Sequence, residues 1–261
     1  MKRKAGWLSQ LYIWVVLAVM YLPMLVVVAY SFNSSRYSNW EGFSLQWYEE
    51  LFNNSAIVDT LNNSLMLAFF SCALAILLGT MGAVGMAKSR FRTQGLLENV
   101  SLIPMMLPEI ILGMAYLALF SLCRVPFSMI TLIIAHTTFC IPYVFINVKS
   151  RLIGMDPALS EAARDLGANP MRVLKDITLP LVFPAVLSGM MLSAAMSLDD
   201  VVISFFVTSA ETTTLPLKVY TGLRSGGTPE INALSTLMLG VIFICVAFSQ
   251  LLTARSNAKL N

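Results

Sequence analysis

Long apolar stretches dominate the chain, and short polar or charged segments separate them. Six of these stretches approach or exceed the length of about 20 residues that an α-helix needs to cross a bilayer. They occupy residues 11–32, 65–87, 100–122, 127–148, 181–207 and 234–252. The pattern predicts an all-α, polytopic membrane protein with six transmembrane helices in a single domain, residues 1–261. We expect the first stretch to be retained as an anchor, because it is too long for the apolar core of a signal peptide.

The basic residues predict how these helices are oriented. Lys and Arg in short loops stay preferentially on the cytoplasmic side of a membrane. If the N-terminus is inside, only four of the 17 basic residues lie outside, namely Arg36, Arg124, Lys218 and Arg224. We therefore expect a multi-pass protein with both termini in the cytoplasm.

The composition excludes several other classes of protein. With 57% hydrophobic and 12% charged residues, the chain is too apolar for a soluble domain. The net charge of +3 is modest and its basic residues are scattered, so the expected partner is a lipid bilayer and not a nucleic acid. The cysteines have no CxxC spacing and are expected to be buried small hydrophobes, without a disulfide or a metal. They are Cys72, Cys123, Cys140 and Cys245.

The polar segment 149–180 lies on the predicted cytoplasmic side and contains the string DPALSEAARDLGANPMRVLKDITLP. Ser160 is predicted to cap a short helix that has Glu161 in its first turn and ends at Gly167. Asn169 and Pro170 are predicted to begin a second helix, with proline at its first position. Taken alone, such a segment is typical of an amphipathic connector at the membrane interface.

This segment closely resembles the EAA loop of ABC importer permeases. The positions that carry the resemblance are Glu161, Ala162, Ala163, Gly167, Ile177, Leu179 and Pro180. The resemblance implies a type I ABC importer permease (MetI-like) fold, in which the loop couples to a cleft of a cytoplasmic ATPase subunit through Glu161, Ala162, Ala163 and Gly167. The chain has no GxxxxGK[ST] phosphate loop. A permease without enzymatic activity or a cofactor of its own is therefore expected, with ATP and Mg²⁺ bound by partner subunits.

Further matching segments extend over almost the whole chain. SFNSSR, HTTFCIPYV, SLDDVVISFFV and PEINALSTLML are similar to the second permease subunit of spermidine/putrescine importers. The resemblance implies polyamine transport across a bacterial inner membrane. The implied partners are a homologous permease in a heterodimer, two ATPase subunits and a periplasmic binding protein. Importers of opines, aminophosphonates, thiamine and iron share much of this scaffold and remain alternatives.

Three acidic residues lie inside the apolar stretches. Glu109 follows Pro108, where proline can open a helix, and Asp199 and Asp200 lie in the fifth stretch. An ionised carboxylate in hydrocarbon costs several kcal/mol and normally faces a cavity or a partner. We predict that all three bind the separated ammonium groups of a polyamine. Alternatively, they are protonated or hydrogen-bonded structural groups, or they pair with a basic residue of the other permease.

Neighbouring helical residues point about 100° apart, so Asp199 and Asp200 are not both expected to face one narrow pathway. One of them is free to hydrogen-bond a neighbouring helix instead. His136, the only histidine, is predicted to be a packed, hydrogen-bonded side chain outside the site. A rival interpretation is a secondary carrier that uses these aspartates with Glu109 and His136 for ion coupling. Such a carrier would need no EAA loop.

Trp47 is the remaining candidate for substrate binding. It lies in the string FSLQWYEELF, where aromatic rings beside carboxylates suit the capture of a cation by a cation–π interaction. Trp and Tyr are equally typical of the interfacial belt of a membrane helix. The family resemblance favours contact between Trp47 and the substrate.

Overall fold

The computed structural model of the protein describes residues 7–36, 39–88, 92–224 and 229–258. This part of the chain is helical, apart from its connecting turns and one isolated antiparallel bridge between Asn33 and Phe43. The all-α prediction is confirmed. In chain order the α-helices are α1 (Trp7–Tyr30), α2 (Gln46–Asn53), α3 (Ser55–Lys88), α4 (Gln94–Met106), α5 (Glu109–Leu122), α6 (Met129–Ile153), α7 (Pro157–Asp165), α8 (Pro170–Val173), α9 (Leu179–Asp199), α10 (Val202–Val207), α11 (Leu215–Arg224) and α12 (Pro229–Ala258).

Several helices are long and apolar enough to cross a membrane. Within the described ranges these are Gln10–Tyr30, Ser55–Ala87, Met129–Ile153 and Pro170–Asp199, where a π-helical turn, Leu174–Thr178, joins α8 to α9. Helices α4 and α5 meet this criterion only together, as one span broken by a bend of 105°. The predicted sixth stretch falls within α12, whose apolar part, Pro229–Ile244, is shorter. The structure therefore supports four or five spans, and the count of six is not confirmed.

The bend between α4 and α5 has a cause in the sequence. Leu107 and Pro108 both adopt extended backbone conformations, with ψ values of 141° and 131°. A residue before proline is pushed away from the helical region, and proline has no N–H to donate. The helix therefore stops and restarts at Glu109. The expectation that proline opens this stretch beside Glu109 is confirmed.

A second break divides α9 from α10 within residues 181–207, which were predicted as one span. No proline or glycine lies at this break. Instead, the side chain of Asp200 accepts hydrogen bonds from the backbone N–H groups of Ile203 (3.1 Å) and Ser204 (2.9 Å). A carboxylate in this position satisfies the first N–H groups of a new helix. The prediction of an uninterrupted fifth span is wrong for that reason.

The chain divides into two compact units, which we describe separately. The first comprises Met1–Val58 and Val219–Val241, and the second comprises Asp59–Lys218 and Ile242–Asn261. The first unit contains the exposed helix α1 and the short helix α2, which buries Trp47 and Leu51. The second unit contains the main apolar core. The prediction of one membrane domain stays a prediction.

Helices α6 and α9 pack closely in the core of the second unit. Val144 and Val148 on α6 and Val182 on α9 are completely buried. Gly189 on α9 allows this approach, because a Cβ atom at that position would lie 2.8 Å from the Cα atom of Val144. Small residues at such contacts bring helix backbones together in membranes.

The cysteines differ in their surroundings. Cys72 and Cys140 are buried as predicted, but Cys123 is exposed. The prediction is wrong for Cys123 because this residue lies beyond the last residue of α5, in the turn before α6. The side chain of Cys245 lies outside the described part of the chain. So do basic residues on which the predicted orientation depends, namely Lys2, Arg3, Lys4, Arg90 and Lys259.

Replacing Gly189 by alanine tests the close packing of α6 and α9. The added methyl group would meet the backbone of Val144, so Gly189→Ala should lower the free energy of unfolding by about 1–3 kcal/mol. The matched control is Gly85→Ala in α3, where no atom lies within 4 Å of an added Cβ. Thermal unfolding in detergent measures both variants. An unchanged midpoint for Gly189→Ala would contradict the close contact.

Candidate functional site

The two helix breaks bring the three intramembrane carboxylates into one neighbourhood of the second unit. Glu109 is the first residue of α5, and Asp199 is the last residue of α9. Glu109 lies within electrostatic range of both Asp199 and Asp200. The structure thus brings together the three acids that were predicted from scattered positions in the sequence.

Packing between α5 and α10 explains this proximity. Phe206 on α10 lies against Gly113 on α5, where a Cβ atom would come within 2.6 Å of the phenyl ring. Ile203 also lies beside this glycine and is completely buried. The first turn of α5 is therefore held beside α10, so that Glu109 approaches the break at Asp200.

Asp200 and His136 form the centre of a buried polar network. The exposed fractions of their side chains are 1% and 0%. The Nε2 atom of His136 lies 3.4 Å from Oδ2 of Asp200 and 3.2 Å from the hydroxyl oxygen of Ser204. On the other edge of the ring, Nδ1 lies 3.0 Å from the hydroxyl oxygen of Ser197. The prediction that His136 is packed and hydrogen-bonded is confirmed.

The geometry of this network assigns the proton on one ring nitrogen. The hydroxyl of Ser204 donates to Oδ2 of Asp200 at 2.9 Å, so its oxygen is left to accept from Nε2. An ionised carboxylate also only accepts. Both neighbours of Nε2 therefore require that this nitrogen carries a proton and donates it. Asp200 then receives hydrogen bonds from two backbone N–H groups, a hydroxyl and an imidazole.

These contacts favour a structural role for Asp200. Both of its carboxylate oxygens accept from protein donors, and its side chain is closed off from the surface of the unit. Its predicted role in binding substrate stays a prediction. Ser204 was not among the sequence candidates, although a serine four residues after an aspartate in an apolar run is a signal for such a helix start.

Glu109 and Asp199 are arranged differently from Asp200. Asp199 is exposed and Glu109 is half-buried. Within the described part of the chain, neither carboxylate makes a hydrogen bond or an ion pair through its side chain. Glu109 is stabilised by its place in the first turn of α5, where the helix dipole favours negative charge. Two carboxylates are therefore available to bind a cation.

Trp47 belongs to the first unit. Its ring is only 4% exposed, and its indole N–H donates to the carbonyl oxygen of Asn33 at 2.6 Å. The guanidinium carbon of Arg36 lies 6.0 Å from the ring centroid, at the distance of a cation–π contact. The ring thus accepts a cation, but the cation belongs to the protein. The predicted contact between Trp47 and substrate stays a prediction.

The loop between α6 and α9 contains the predicted short helix, but the helix begins earlier than expected. Asp156 is the N-cap, its side chain accepts from the N–H of Ala158 at 2.9 Å, and Pro157 opens α7. The prediction of Ser160 as the cap is wrong, because an Asp-Pro pair with the same capping chemistry precedes it.

The other two signals in this loop are confirmed. Gly167 ends the helix with φ of +85°, which favours glycine, and Ala168 N–H donates to the carbonyl oxygen of Ala163 at 3.0 Å. Asn169 caps the second helix through its side chain, which accepts from Arg172 N–H at 2.8 Å. Pro170 follows at the first helical position. The resulting turn presents α7 as a separate helix at one end of the second unit.

Helix α7 has an uncovered apolar face. Leu159, Ala162 and Leu166 recur at spacings of three and four residues and are therefore neighbours on one side of the helix. All three are exposed, and Leu166 is 90% exposed. Glu161, by contrast, points away from this face, since it lies one residue before Ala162. Leu166 was missed in the sequence, although its spacing from Leu159 and Ala162 would have indicated it.

The loop also connects the two helices that carry the polar network. Helix α6 carries His136 and leads into α7, while the chain after α7 continues through α8 into α9, which ends at Asp199. At the base, Arg151 Nε donates to the carbonyl oxygen of Leu181 at 3.1 Å. Helix α7 is therefore connected along the chain to both helices.

The structure combines membrane-length helices, two broken helices with carboxylates at their breaks, and an exposed amphipathic helix on a connecting loop. These are the features of a membrane transport permease. The family described as binding-protein-dependent transport system inner membrane component matches residues 75–260. The chain belongs to this family.

Curated relatives are similar over nearly the whole chain. The spermidine/putrescine transport system permease protein PotC of Haemophilus influenzae is 41% identical over 251 residues, which are 96% of this chain and 98% of that protein. The putrescine transport system permease protein PotI of Escherichia coli is 40% identical, covering 92% of this chain and 88% of that protein.

Solved structures agree on the fold. A chain of a bacterial ABC transporter involved in the import of the acidic polysaccharide alginate superposes with a TM-score of 0.75. The match covers 94% of this chain and 95% of that chain at 15% identity. The ABC permease fold that the EAA loop implied is confirmed by this likeness.

The contrast between the two neighbouring aspartates can be measured. Asp200→Ala removes the acceptor for two backbone N–H groups and for His136, so it should lower the free energy of unfolding by about 3 kcal/mol. Asp199→Ala is the matched control and should change it by less than about 0.5 kcal/mol, because this side chain is exposed. Thermal unfolding in detergent gives both values. Equal effects would contradict the assignment of Asp200 to a buried network.

Proposed function

We propose that this chain is a permease subunit of an ATP-driven ABC importer that moves polyamines such as spermidine and putrescine across a bacterial inner membrane. The observation that carries the proposal is its similarity, at about 40% identity over nearly its full length, to permeases named for spermidine and putrescine. The site geometry agrees with this substrate class. Within the described residues it offers two carboxylates without a side-chain hydrogen bond or ion pair, and the cargo is a flexible chain with separated ammonium groups.

The roles of the carboxylates follow from their surroundings. Glu109 and Asp199 bind ammonium groups of the passing polyamine through charge-assisted hydrogen bonds. Because they come from different helices, a relative movement of α5 and α9 changes the distance between them and weakens binding. The affinity of this site is modest, since a transport pathway must release what it binds.

Six spans complete the proposed topology, with α12 as the sixth. This helix contains 30 residues, which at 1.5 Å per residue correspond to about 45 Å, enough to cross a bilayer. An even number of spans leaves both termini on one side, and the distribution of Lys and Arg favours the cytoplasm for them. In this orientation α7 lies in the cytoplasm, and the break at Asp200 lies in the outer half of its span.

The partners follow from the same arrangement. A homologous permease completes the pathway, a periplasmic binding protein delivers the substrate, and two ATPase subunits bind ATP and Mg²⁺ on the cytoplasmic side. The apolar face of α7 docks on one ATPase subunit, since an uncovered apolar face in water needs a partner. Movement of that subunit displaces α7, and α6 and α9 follow as one body. An ion-coupled carrier would have no use for this uncovered helix.

Uptake by the complete transporter tests the substrate and the carboxylates together. Cells that lack their own polyamine importers should accumulate radiolabelled spermidine or putrescine when they express it. Glu109→Gln and Asp199→Asn should each reduce the rate about tenfold or more, because each removes a charge-assisted hydrogen bond worth about 1.5–3 kcal/mol. The matched control, Glu211→Gln, removes an exposed carboxylate outside the site and should transport like the intact protein.

Two results would contradict this proposal in different ways. If the assembled intact transporter takes up no polyamine, the cargo is another solute, such as an opine or an aminophosphonate, and the substrate assignment is wrong. If uptake is normal in both carboxylate variants, the polyamine assignment stands and the assignment of Glu109 and Asp199 to the pathway is wrong.

The docking role of α7 is tested by Leu166→Asp. A charge at Leu166, at the C-terminal end of the apolar face, should abolish co-purification of the ATPase subunits with this chain. Leu122→Asp is the matched control, because Leu122 is 83% exposed and lies at the far end of α5. It should retain the ATPase subunits, as measured by densitometry of the purified complex. Retention by Leu166→Asp would argue against docking through this face.

A further inference from the structure

The α9–α10 break carries an inference that rests on the proposed function and deepens it. We infer that His136 is a positioning residue, which donates to Asp200 and holds the break so that Asp199, together with Glu109, meets the substrate. His136 itself does not contact the substrate. Its role is to hold Asp200 in the buried network, so that Asp199 is the aspartate available to the substrate.

The first argument is that His136 bridges the break. Ser197 lies in the last turn of α9 and Ser204 in the first part of α10, and each contacts one nitrogen of the same imidazole ring. The ring itself belongs to a third helix, α6. Three helices are therefore connected at one completely buried side chain.

The second argument is that Asp200 is already hydrogen-bonded and enclosed. Its carboxylate accepts from Ile203 N–H, from the N–H and hydroxyl of Ser204, and from His136. Three of these groups lie at Oδ2 and one lies at Oδ1, and the side chain is only 1% exposed. An ammonium group of a substrate would have to enter this closed space and compete with these donors. Removing His136 instead leaves a buried carboxylate without the imidazole that lies 3.4 Å from it, which is strongly unfavourable.

The third argument concerns the direction of Asp199. Adjacent residues at the end of a helix project about 100° apart. As long as Asp200 is held against α6, Asp199 must point elsewhere, and in the structure it is exposed. If Asp200 were released, the end of α9 could turn and either aspartate could face the cation. The position of Asp199 therefore depends on the contact between Asp200 and His136.

Mutant cycles in the complete transporter test this inference through the kinetics of spermidine uptake. His136→Leu should lower Vmax/KM about tenfold or more, with the ATPase subunits retained. His136→Gln, which keeps a donor near Asp200, should stay within about threefold of the intact protein. Adding Asp200→Asn to His136→Leu should restore most of the loss, because it removes the unpaired buried charge.

The decisive variant combines His136→Leu with Asp199→Asn. If His136 acts by positioning Asp199, the double variant should be no more than about twofold worse than Asp199→Asn alone. If His136 has only a structural role, the fold losses of Vmax/KM in the two single variants should multiply in the double variant. Should His136→Leu fail to assemble, the same comparison is made with His136→Asn, which is also expected to lose the donor to Asp200.

Several outcomes would overturn the inference. Multiplying losses in the double variant would assign His136 a structural role that is independent of Asp199. Uptake as low in His136→Gln as in His136→Leu, or no recovery on adding Asp200→Asn, would exclude donation to Asp200 as the reason for the histidine. Absence of uptake by the intact, assembled transporter would instead overturn the proposed function, and this inference with it.

Discussion

The buried carboxylate of Asp200 is the constraint on which the architecture of the site depends. A charge enclosed in a membrane domain is stable only if protein groups supply all of its hydrogen bonds. Four donors do so here, and two of them are backbone N–H groups that become available only because a helix begins after Asp200. The carboxylate and the break are therefore stabilised by each other. The same break places Asp199 at a helix end, beside the first turn of α5.

The breaks at Pro108 and Asp200 have different physical origins and a common effect. At Pro108 the backbone cannot continue the helix, whereas at Asp200 a side chain competes for its hydrogen bonds. Both breaks leave a carboxylate at a helix end, and the contact between Gly113 and Phe206 brings them together. Carboxylates thus lie at helix ends, where charge and polar backbone can be accommodated in a membrane.

Close packing and a hydrogen bond connect α6 and α9. Their tight contact at Gly189, and the hydrogen bond from Arg151 to the carbonyl of Leu181, join them into one body below the polar network. The α7 helix lies between them in the chain and presents Leu166 to the exterior. The chain on either side of α7 thus leads, through short turns, to the two helices that carry His136 and Asp199.

The sequence alone determined the all-helical membrane class, the break at Pro108, the helix end at Gly167 and the family, because each depends on local composition, on backbone chemistry or on a contiguous motif. It also singled out Glu109, Asp199 and Asp200, since charges in apolar runs are conspicuous. Only the tertiary structure distinguished Asp199 from Asp200, showed that Asp156 and not Ser160 is the cap, and showed that His136 contacts both sides of the break. The first and the last of these outcomes depend on which groups from distant parts of the chain reach a given side chain, whereas the Asp156 cap accepts from Ala158, two residues away. Adjacent aspartates are equivalent in a hydropathy pattern, and only the packing of α6 against α9 and α10 makes one of them a structural group and leaves the other exposed.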